Sequence, residues 1–474
     1  MQFGLQTNKR IKFFNKNTLT IINFTRLVRK IFILLLIIPF CLISQSNNIE
    51  LLDQWYIEGL PITNDGESVF NDVWGLEIEN DKYAIIGSTN GTHILRINDN
   101  RLEEIDFVAG KYAGNQAIHR DFHDYNGYLY AVCDENASSL QIMDLSYLPD
   151  SVHLVYDSDS LIIRAHNIFI DTANAKLYGC AVATSSGFHA LSVYDLSNPV
   201  YPELIYNYDE VGHVHDAYVY NDTAFLNCGN DGLRVIKSHS QGFAYELSSL
   251  TVYPDKGYNH SGWISGDKKT YIMCDETPSM KIKVLDVSDL NNISVSSTFS
   301  AESYEQALPH NAIFVNNIAY VSYYNDGLQV FDISDPYNPK KIGYYDTYPG
   351  SDNLIYRGLW GIYPFNNSNL VLASDRTSGL YLFDFEPPPI IVEDPFYVFP
   401  NPASNYIYFY RKHLDLADYK INIYNVLGSK VDELQGFNDY LKIDLSNYSS
   451  GIYIMEYISN IELFTTNTKF FVNK

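Results

Sequence analysis

GLQVFDISDPYNPKKIGYY, residues 327–345, is the stretch that decides the fold. Apolar residues alternate in two short runs, and Asp, Ser, Asn and Pro separate the runs. This pattern predicts two antiparallel strands joined by a turn, which is a β-hairpin. Related stretches begin at Leu140, Leu191 and Ile282. The first strand of each hairpin ends in an aspartate: Asp144, Asp195, Asp286 and Asp332.

These aspartates have a structural explanation. The carboxylate of an Asx turn accepts a hydrogen bond from the backbone N–H two residues further on. We therefore predict that the four aspartates close turns and take no part in catalysis.

A second hairpin precedes each of these, as in HNAIFVNNIAYVSYYND from His310, so each unit holds four strands. Seven units follow one another at intervals of 43 to 50 residues. They begin at Trp74, His123, His166, His215, His260, His310 and Trp360. Seven units of four strands predict an all-β fold, a seven-bladed β-propeller.

The two ends of the array predict how the ring closes. The last unit offers only three strands before the prolines at 387–389, which cannot donate to a β-ladder. Residues 50–57, ELLDQWYI, resemble the outer strands of other units. We predict that this N-terminal strand completes the seventh blade and hides an open sheet edge.

Composition agrees with an all-β chain and excludes one class of partner. Forty Tyr and 26 Phe among 474 residues favour pleated, half-buried surfaces. The formal net charge of -24 opposes binding to phosphate backbones. Nucleic acid is therefore excluded as a partner, and we expect a monomer.

The N-terminus predicts export. Basic residues precede an apolar run at 31–43, and small residues at 44 and 46 follow it. This order is typical of a signal peptide, here residues 1–46 with a long basic leader. A membrane anchor is the alternative, but the run is shorter than the roughly 20 residues that span a bilayer. A lipid attached to Cys41 is disfavoured because Phe40 before it is bulky.

Four further cysteines recur with the blades: Cys133, Cys180, Cys228 and Cys274. Their spacings of 47, 48 and 46 residues place them at equivalent positions in neighbouring blades, too far apart for disulfides. We predict buried, reduced thiols.

The hairpins that read Asp-Ile/Leu-Ser-Asp/Asn-Pro resemble LVIVD repeats. The array, residues 47–386, is similar to the choice-of-anchor B proteins of bacterial surfaces. This resemblance implies a propeller and a surface location but no established chemistry. It is weakest in the first and fourth units.

A proline-rich linker, residues 387–394, leads to a tail at 395–474 that predicts a small β-sandwich. The tail carries PNPA at 400–403, IYNVLG at 423–428, LS at 445–446 and GIY at 451–453. In this order the motifs resemble the type A sorting domain of type IX secretion. The resemblance implies partnership with that secretion machinery, passage through the periplasm, and release or attachment at the outer surface.

Candidate site residues come from the openings of the units. Because the first strand of a propeller blade lines the central channel, the histidines at 123, 166, 215, 260 and 310 and the tryptophans at 74 and 360 are candidate channel-mouth ligands. Acidic turns between the second and third strands add carboxylates on the same face. Imidazole and carboxylate together suit a divalent metal ion, the one cofactor we consider. The candidate metal ligands are His213, His215, Asp216, Asp134, Glu135, Asp275 and Glu276.

Repetition also favours a structural role, in which His-Asx pairs bond the backbone between blades. If His213 and His215 lie in one strand, both rings can reach one ion, because alternate residues of a strand share a face. No catalytic residue is predicted, since the common motifs of hydrolases, zinc proteases and phosphate-binding loops are absent. The leading hypothesis is a secreted or surface binding module for a protein or glycan. The alternative is a metal-assisted hydrolase or lyase that acts on extracellular polymer.

Overall fold

The computed structural model describes residues 46–64, 66–301, 303, 306–348, 356–388, 396–411, 419–436, 440–459 and 465–474. The predicted signal peptide lies outside the described residues except for Ser46, as does most of the predicted linker. The chain divides into two compact units, one ending at Pro387 and one beginning at Pro388. No helix within the described ranges has the length and apolar character needed to cross a membrane.

The first unit is built from antiparallel strands and one 3₁₀ turn, Leu290–Asn292. Its strands are β1 (Ser46–Asn47), β2 (Glu50–Trp55), β3 (Phe70–Ile78), β4 (Asp81–Ser88), β5 (Gly91–Asn98), β6 (Arg101–Ala109), β7 (Arg120–Tyr125), β8 (Tyr128–Cys133), β9 (Leu140–Asp144), β10 (His153–Ser158), β11 (Asn167–Asp171), β12 (Lys176–Thr184), β13 (Gly187–Asp195), β14 (Glu203–Tyr208), β15 (Asp216–Tyr220), β16 (Thr223–Asn227), β17 (Leu233–His239), β18 (Phe243–Leu250), β19 (Asn259–Ile264), β20 (Thr270–Asp275), β21 (Ile282–Asp286), β22 (Ser294–Phe299), β23 (Ala312–Val315), β24 (Ile318–Tyr323), β25 (Gly327–Asp332), β26 (Lys340–Tyr345), β27 (Leu359–Pro364), β28 (Leu370–Asp375) and β29 (Gly379–Asp384).

Within the described residues these strands form seven sheets, which we number in chain order. Sheets 1 to 5 are β3–β6, β7–β10, β11–β14, β15–β18 and β19–β22, each a four-stranded meander. Sheet 6 is β23–β26 with β1 added beyond β26. Sheet 7 is β27–β29 with β2 beyond β29.

The strand pairing predicted for residues 50–57 is present over Glu50–Trp55. This strand, β2, pairs antiparallel with β29, with Glu50 opposite Asp384 and Trp55 opposite Leu380. The last sheet thereby gains its fourth strand from the start of the unit. A side chain of β2 then bonds to sheet 1, because Asp53 accepts a hydrogen bond from the backbone N–H of Leu102 at 2.9 Å.

The first strands of the sheets contact one another in a closed cycle. β3 contacts β7, and the contacts continue through β11, β15, β19 and β23 to β27, which contacts β3 again. We call these the inner strands and the space that they enclose the channel. Middle strands such as β9 are buried along most of their length, whereas outer strands such as β10 are largely exposed. Sheet faces packed against neighbouring sheets account for this gradient.

The strand-end aspartates close turns, as predicted. A side-chain oxygen of Asp144 accepts a hydrogen bond from the backbone N–H of Ser146 at 2.9 Å, and Asp332 accepts one from Ser334 at 2.8 Å. Asp286 does the same for Ser288 at 3.0 Å. Local sequence therefore suffices to explain these carboxylates.

The four cysteines are buried, as predicted, and none pairs with another in the described chain. Each lies in the second strand of its sheet or directly after that strand, in sheets 2 to 5. Burial raises the pKa of all four thiols, to about 12 for Cys228 and Cys274. They act as small apolar side chains.

The second unit holds two sheets. Their strands are β30 (Phe396–Phe399), β31 (Tyr406–Arg411), β32 (Tyr419–Asn425), β33 (Lys430–Gly436), β34 (Tyr440–Asp444), β35 (Gly451–Ser459) and β36 (Thr465–Val472). One sheet runs β30-β31-β34 and the other β33-β32-β35-β36. Both sheets contribute to one apolar core, which includes Phe409, Ile443, Ile423 and Met455.

Candidate functional site

Side chains of the inner strands reach the channel in three successive layers. Alternate residues of a strand share a face, which places the acidic and aromatic layers, two residues apart, on the same side of each inner strand. A histidine layer lies where the inner strands begin, an acidic layer follows one residue on, and an aromatic layer follows two residues after that.

The histidine layer is a closed circle of rings. It consists of His119, His166, His215, His260, His310 and Trp360, from sheets 2 to 7 in order. Successive ring centroids lie 5.0, 4.1, 3.9, 4.4 and 4.4 Å apart. Trp360 and His119 close the circle at 5.4 Å. Of the five histidines and two tryptophans predicted at one mouth, the structure places His166, His215, His260, His310 and Trp360 in this layer.

The assignment of His123 to this layer is wrong, and His119, which the sequence left unassigned, occupies its place. Asp121 lies in the acidic layer, so Arg120 holds the position that histidines hold in sheets 3 to 6. Arg120 instead turns toward sheet 1 and donates to the carbonyl of Ser88 at 2.7 Å. His119 is held by Glu135, whose carboxylate lies 2.6 Å from its Nδ1.

Carboxylates of the acidic turns flank the histidines, as predicted. Asp134 Oδ2 lies 2.8 Å from His166 Nδ1, and Glu276 Oε2 lies 3.8 Å from His260 Nε2. Burial alone would favour protonated Asp134, but the hydrogen bond from His166 and the nearby positive charges lower its pKa. Glu135 also accepts backbone N–H bonds from Ile118 and His119.

Backbone carbonyls fix the orientation of two histidines. Nδ1 of His215 lies 3.0 Å from the carbonyl of His260, and Nδ1 of His310 lies 2.9 Å from the carbonyl of Trp360. Since a carbonyl only accepts, Nδ1 is protonated in both rings and Nε2 keeps its lone pair. Burial lowers the pKa of His215, His260 and His310 well below 6.5. His215 and His310 therefore each make a structural bond through Nδ1 while Nε2 keeps its lone pair.

The acidic layer is one that sequence reasoning missed, apart from Asp216. It contains Asp72, Asp121 and Asp216, with Asn167, Ser261 and Asn311 from the remaining sheets around the channel. Burial raises the pKa of Asp72 and Asp216 to about 7, and burial together with the charge of Asp72 raises the pKa of Asp121 well above its usual value. Asp72 and Asp121 follow Asn71 and Arg120 rather than a histidine, so only the folded chain shows that they share a layer with Asp216.

The aromatic layer surrounds a cavity of about 510 Å³ at the far end of the channel. Its rings are Tyr363, Trp74, His123, Phe169, Tyr218 and Trp263, and Ile313 fills the remaining position. Successive centroids lie 4.9, 4.5, 5.0, 5.0 and 4.8 Å apart. Trp74 and His123, which we predict at the channel mouth with the other histidines, lie in the aromatic layer instead. Each comes three residues after the position that the histidine layer occupies in its sheet.

Four of the predicted metal ligands do not come together at one site. Asp275 is fully buried against Lys283, 2.8 Å away. Asp216 belongs to the acidic layer, where it accepts the N–H of Ala217 at 2.7 Å. His213 and His215 precede β15, so strand alternation does not apply to them, and their ring centroids are 5.9 Å apart.

The second unit is matched by a known family. Residues 397–473 match the secretion system C-terminal sorting domain. The tail carries a type IX export signal. The match implies export through type IX secretion, to the cell surface or beyond. It also implies that this sorting domain interacts with that machinery. No curated protein matches the sequence.

Several solved structures are similar to the chain, among them a set of WD40 repeats. The RRP9 WD40 repeats match with a TM-score of 0.50 at 8% identity, over 71% of this chain and 97% of theirs. PorZ, a surface component of the type IX secretion system of Porphyromonas gingivalis, matches with a TM-score of 0.46 at 12% identity. That match covers 89% of this chain but only 61% of PorZ. A putative 6-phosphogluconolactonase of Bacteroides fragilis matches with a TM-score of 0.48 at 11% identity, over 81% of this chain and 100% of its own.

Proposed function

We propose that the chain is an exported binding module whose seven-bladed propeller, of the LVIVD-repeat and choice-of-anchor B kind, holds a glycan in the aromatic cavity. The observation that carries this proposal is the belt of six aromatic rings around about 510 Å³. The cycle of inner strands and the pairing of β2 with β29 support seven blades closed by an N-terminal strand. The second unit is proposed as a small β-sandwich.

The belt suits a sugar better than a flat protein surface. Ligand sites are concave and largely apolar, with a few polar groups that fix orientation. The C–H face of a sugar ring removes apolar surface from water when it packs on an indole or phenol ring. Polar groups at the rim, including Lys268, Asn221, Asn316 and Asn366, are suited to the sugar hydroxyls.

Lys268 is positioned to serve as such a group. Its Nζ lies 4.9 Å from the ring centre of Tyr220 and 5.4 Å from that of Tyr218. It also donates to the hydroxyl of Tyr218 at 3.2 Å. Burial lowers the pKa of this ammonium group. The lysine therefore presents a donor beside an aromatic face, where both can contact one sugar residue.

Binding of the purified protein to an array of bacterial and host glycans tests this function. We expect one glycan class to bind, and Trp263→Ala and Tyr363→Ala each to weaken that binding at least tenfold. Tyr337→Ala, which removes an exposed ring in a turn on the outer side of sheet 6, is the matched control and should bind normally. Binding that both cavity variants retain in full, while their thermal unfolding stays cooperative, contradicts the proposal.

Export is tested separately in a bacterium with type IX secretion. A chain that ends at residue 388 should accumulate in the periplasm, while the full chain reaches the surface or the medium. Equal surface delivery of both forms contradicts the role of the tail. The two experiments are independent, because the truncation leaves the aromatic cavity in place.

A further inference from the structure

We propose that His260, Glu276 and His310 bind a divalent metal ion of the zinc type at the histidine end of the channel. One ligand atom from each of these residues lies within 4.8 Å of the others. Sheets 5 and 6 supply them, so the ion would join neighbouring sheets. This inference does not depend on the glycan proposal, because the acidic layer separates the two sites.

The imidazole of His310 is held in the tautomer that a metal requires, and the imidazole of His260 lies next to it. His310 donates Nδ1–H to the carbonyl of Trp360, which directs the lone pair of Nε2 away from that carbonyl. His260 is buried beside His310, and the two ring centroids lie 4.4 Å apart. Ser261 Oγ donates to the carbonyl of His310 at 2.6 Å and so ties the two sheets together at the ligands. Such outer contacts orient the ligands of metal sites.

Glu276 is held with one oxygen toward the histidines. The hydroxyl of Tyr324 donates to Oε1 at 2.5 Å, and the backbone N–H of Glu276 donates to the carbonyl of Tyr258 at 2.8 Å. The other oxygen, Oε2, lies 3.8 Å from His260 Nε2. That separation is too long for a hydrogen bond but leaves room for an ion between the two atoms.

The donor set indicates the class of metal. Two imidazole nitrogens and one carboxylate oxygen form a known zinc set, with a fourth position left for water or a ligand. Bonds of about 2.1 Å would bring the ligand atoms to roughly 3.4 Å from one another. His260 Nε2 and Glu276 Oε2, which lie 3.8 Å apart, must therefore approach by about 0.4 Å. The side chain of Glu276 retains 18% exposure, which provides a path for the ion.

A second group of possible metal ligands in the histidine layer differs from the first because its carboxylate is already hydrogen-bonded. His119, Asp134 and His166 also place ligand atoms within 4.8 Å. There, however, Asp134 Oδ2 is already hydrogen-bonded to His166 Nδ1 at 2.8 Å. An ion would have to replace that bond, whereas at His260 and Glu276 it would replace none. The first group is therefore the site we assign.

Zinc binding by the tag-free full chain tests the site. The protein is stripped with a chelator and then titrated with Zn²⁺ in competition with a coloured chelator. We expect one ion per chain, and binding at least tenfold weaker in Glu276→Gln and His310→Gln. Glu276→Gln keeps an oxygen for Tyr324, so it should fold. His189→Gln is the control, because it removes a histidine whose Nδ1 lies 2.9 Å from Asp209 outside the channel.

Three results would overturn the assignment. They are no Zn²⁺ bound by the unaltered protein, unaltered affinity in a folded Glu276→Gln, or a loss confined to Asp134→Asn. Absorption of the Co²⁺ form adds a direct test, since a four-coordinate nitrogen and oxygen site gives visible bands that Glu276→Gln should change.

Discussion

Lys283 Nζ lies 2.8 Å from Asp275 Oδ2, and neither side chain is exposed to solvent. The lysine also donates to the carbonyl of Asp255, and the aspartate also accepts from Gly257 N–H and the Tyr253 hydroxyl. Sheet 5 thus contains a buried ion pair in which both groups have further hydrogen-bond partners. Removal of one partner leaves a buried charge without compensation.

Lys283→Met should therefore lower the free energy of unfolding by about 3–5 kcal/mol. Urea titration followed by tryptophan fluorescence measures the change. Arg96→Met removes a half-exposed pair with Asp81, so it should cost less than about 1 kcal/mol. Similar losses in the two variants would contradict the importance of the buried pair.

The acidic layer predicts a pH dependence. The pKa of Asp216 is raised from 3.8 to about 7, so the native state binds this proton more tightly than the unfolded state. The stability from this group is complete below about pH 4 and is lost as the pH rises to about 7. Asn mimics the protonated form, so Asp216→Asn should gain in melting temperature relative to the unaltered protein between about pH 5 and about pH 8.

Titration of the buried histidines changes stability in the opposite direction. The difference in melting temperature between Asp216→Asn and the unaltered protein removes that contribution, because both proteins contain the same histidines. Measurements are made with a chelator present. Asp195→Asn serves as a control, because hydrogen bonds from Ser197 lower the pKa of Asp195. A constant difference for Asp216→Asn across this pH range would refute the prediction.

The cysteines should resist modification. Alkylation requires the thiolate, and burial disfavours that form at all four positions. We expect iodoacetamide to leave Cys133, Cys180, Cys228 and Cys274 unmodified in native protein and to label all four after denaturation, as read by peptide mass spectrometry. Rapid native labelling of any one would show that its blade opens.

Loss of β2 should expose the edge of β29. A chain that lacks residues 46–57 should self-associate and melt at a lower temperature, because an unpaired strand is a template for another chain. Light scattering and thermal unfolding measure both effects. A chain that lacks only residues 46–47 removes β1 from sheet 6 but keeps β2, and it should stay close to the unaltered protein. Equal behaviour of the two truncations would contradict a special role for β2.

Local sequence was enough to predict the strands, the Asx turns and the partner of β2. Each of these features depends on residues close in the chain or on a repeated pattern, as with Asp332 and Ser334. The acidic turns beside the histidines were also predictable, because every blade repeats one topology. The sorting tail was predictable from the order of its short motifs.

Tertiary structure alone decided which side chains meet in the channel. His119 rather than His123 joins the histidines, because Arg120 turns toward Ser88 of the neighbouring sheet. The pairing of Lys283 with Asp275 and the meeting of Asp72, Asp121 and Asp216 also depend on packing between or across strands. A shift of one residue moves a side chain to another face or layer, and only the contacts of the folded chain determine that register.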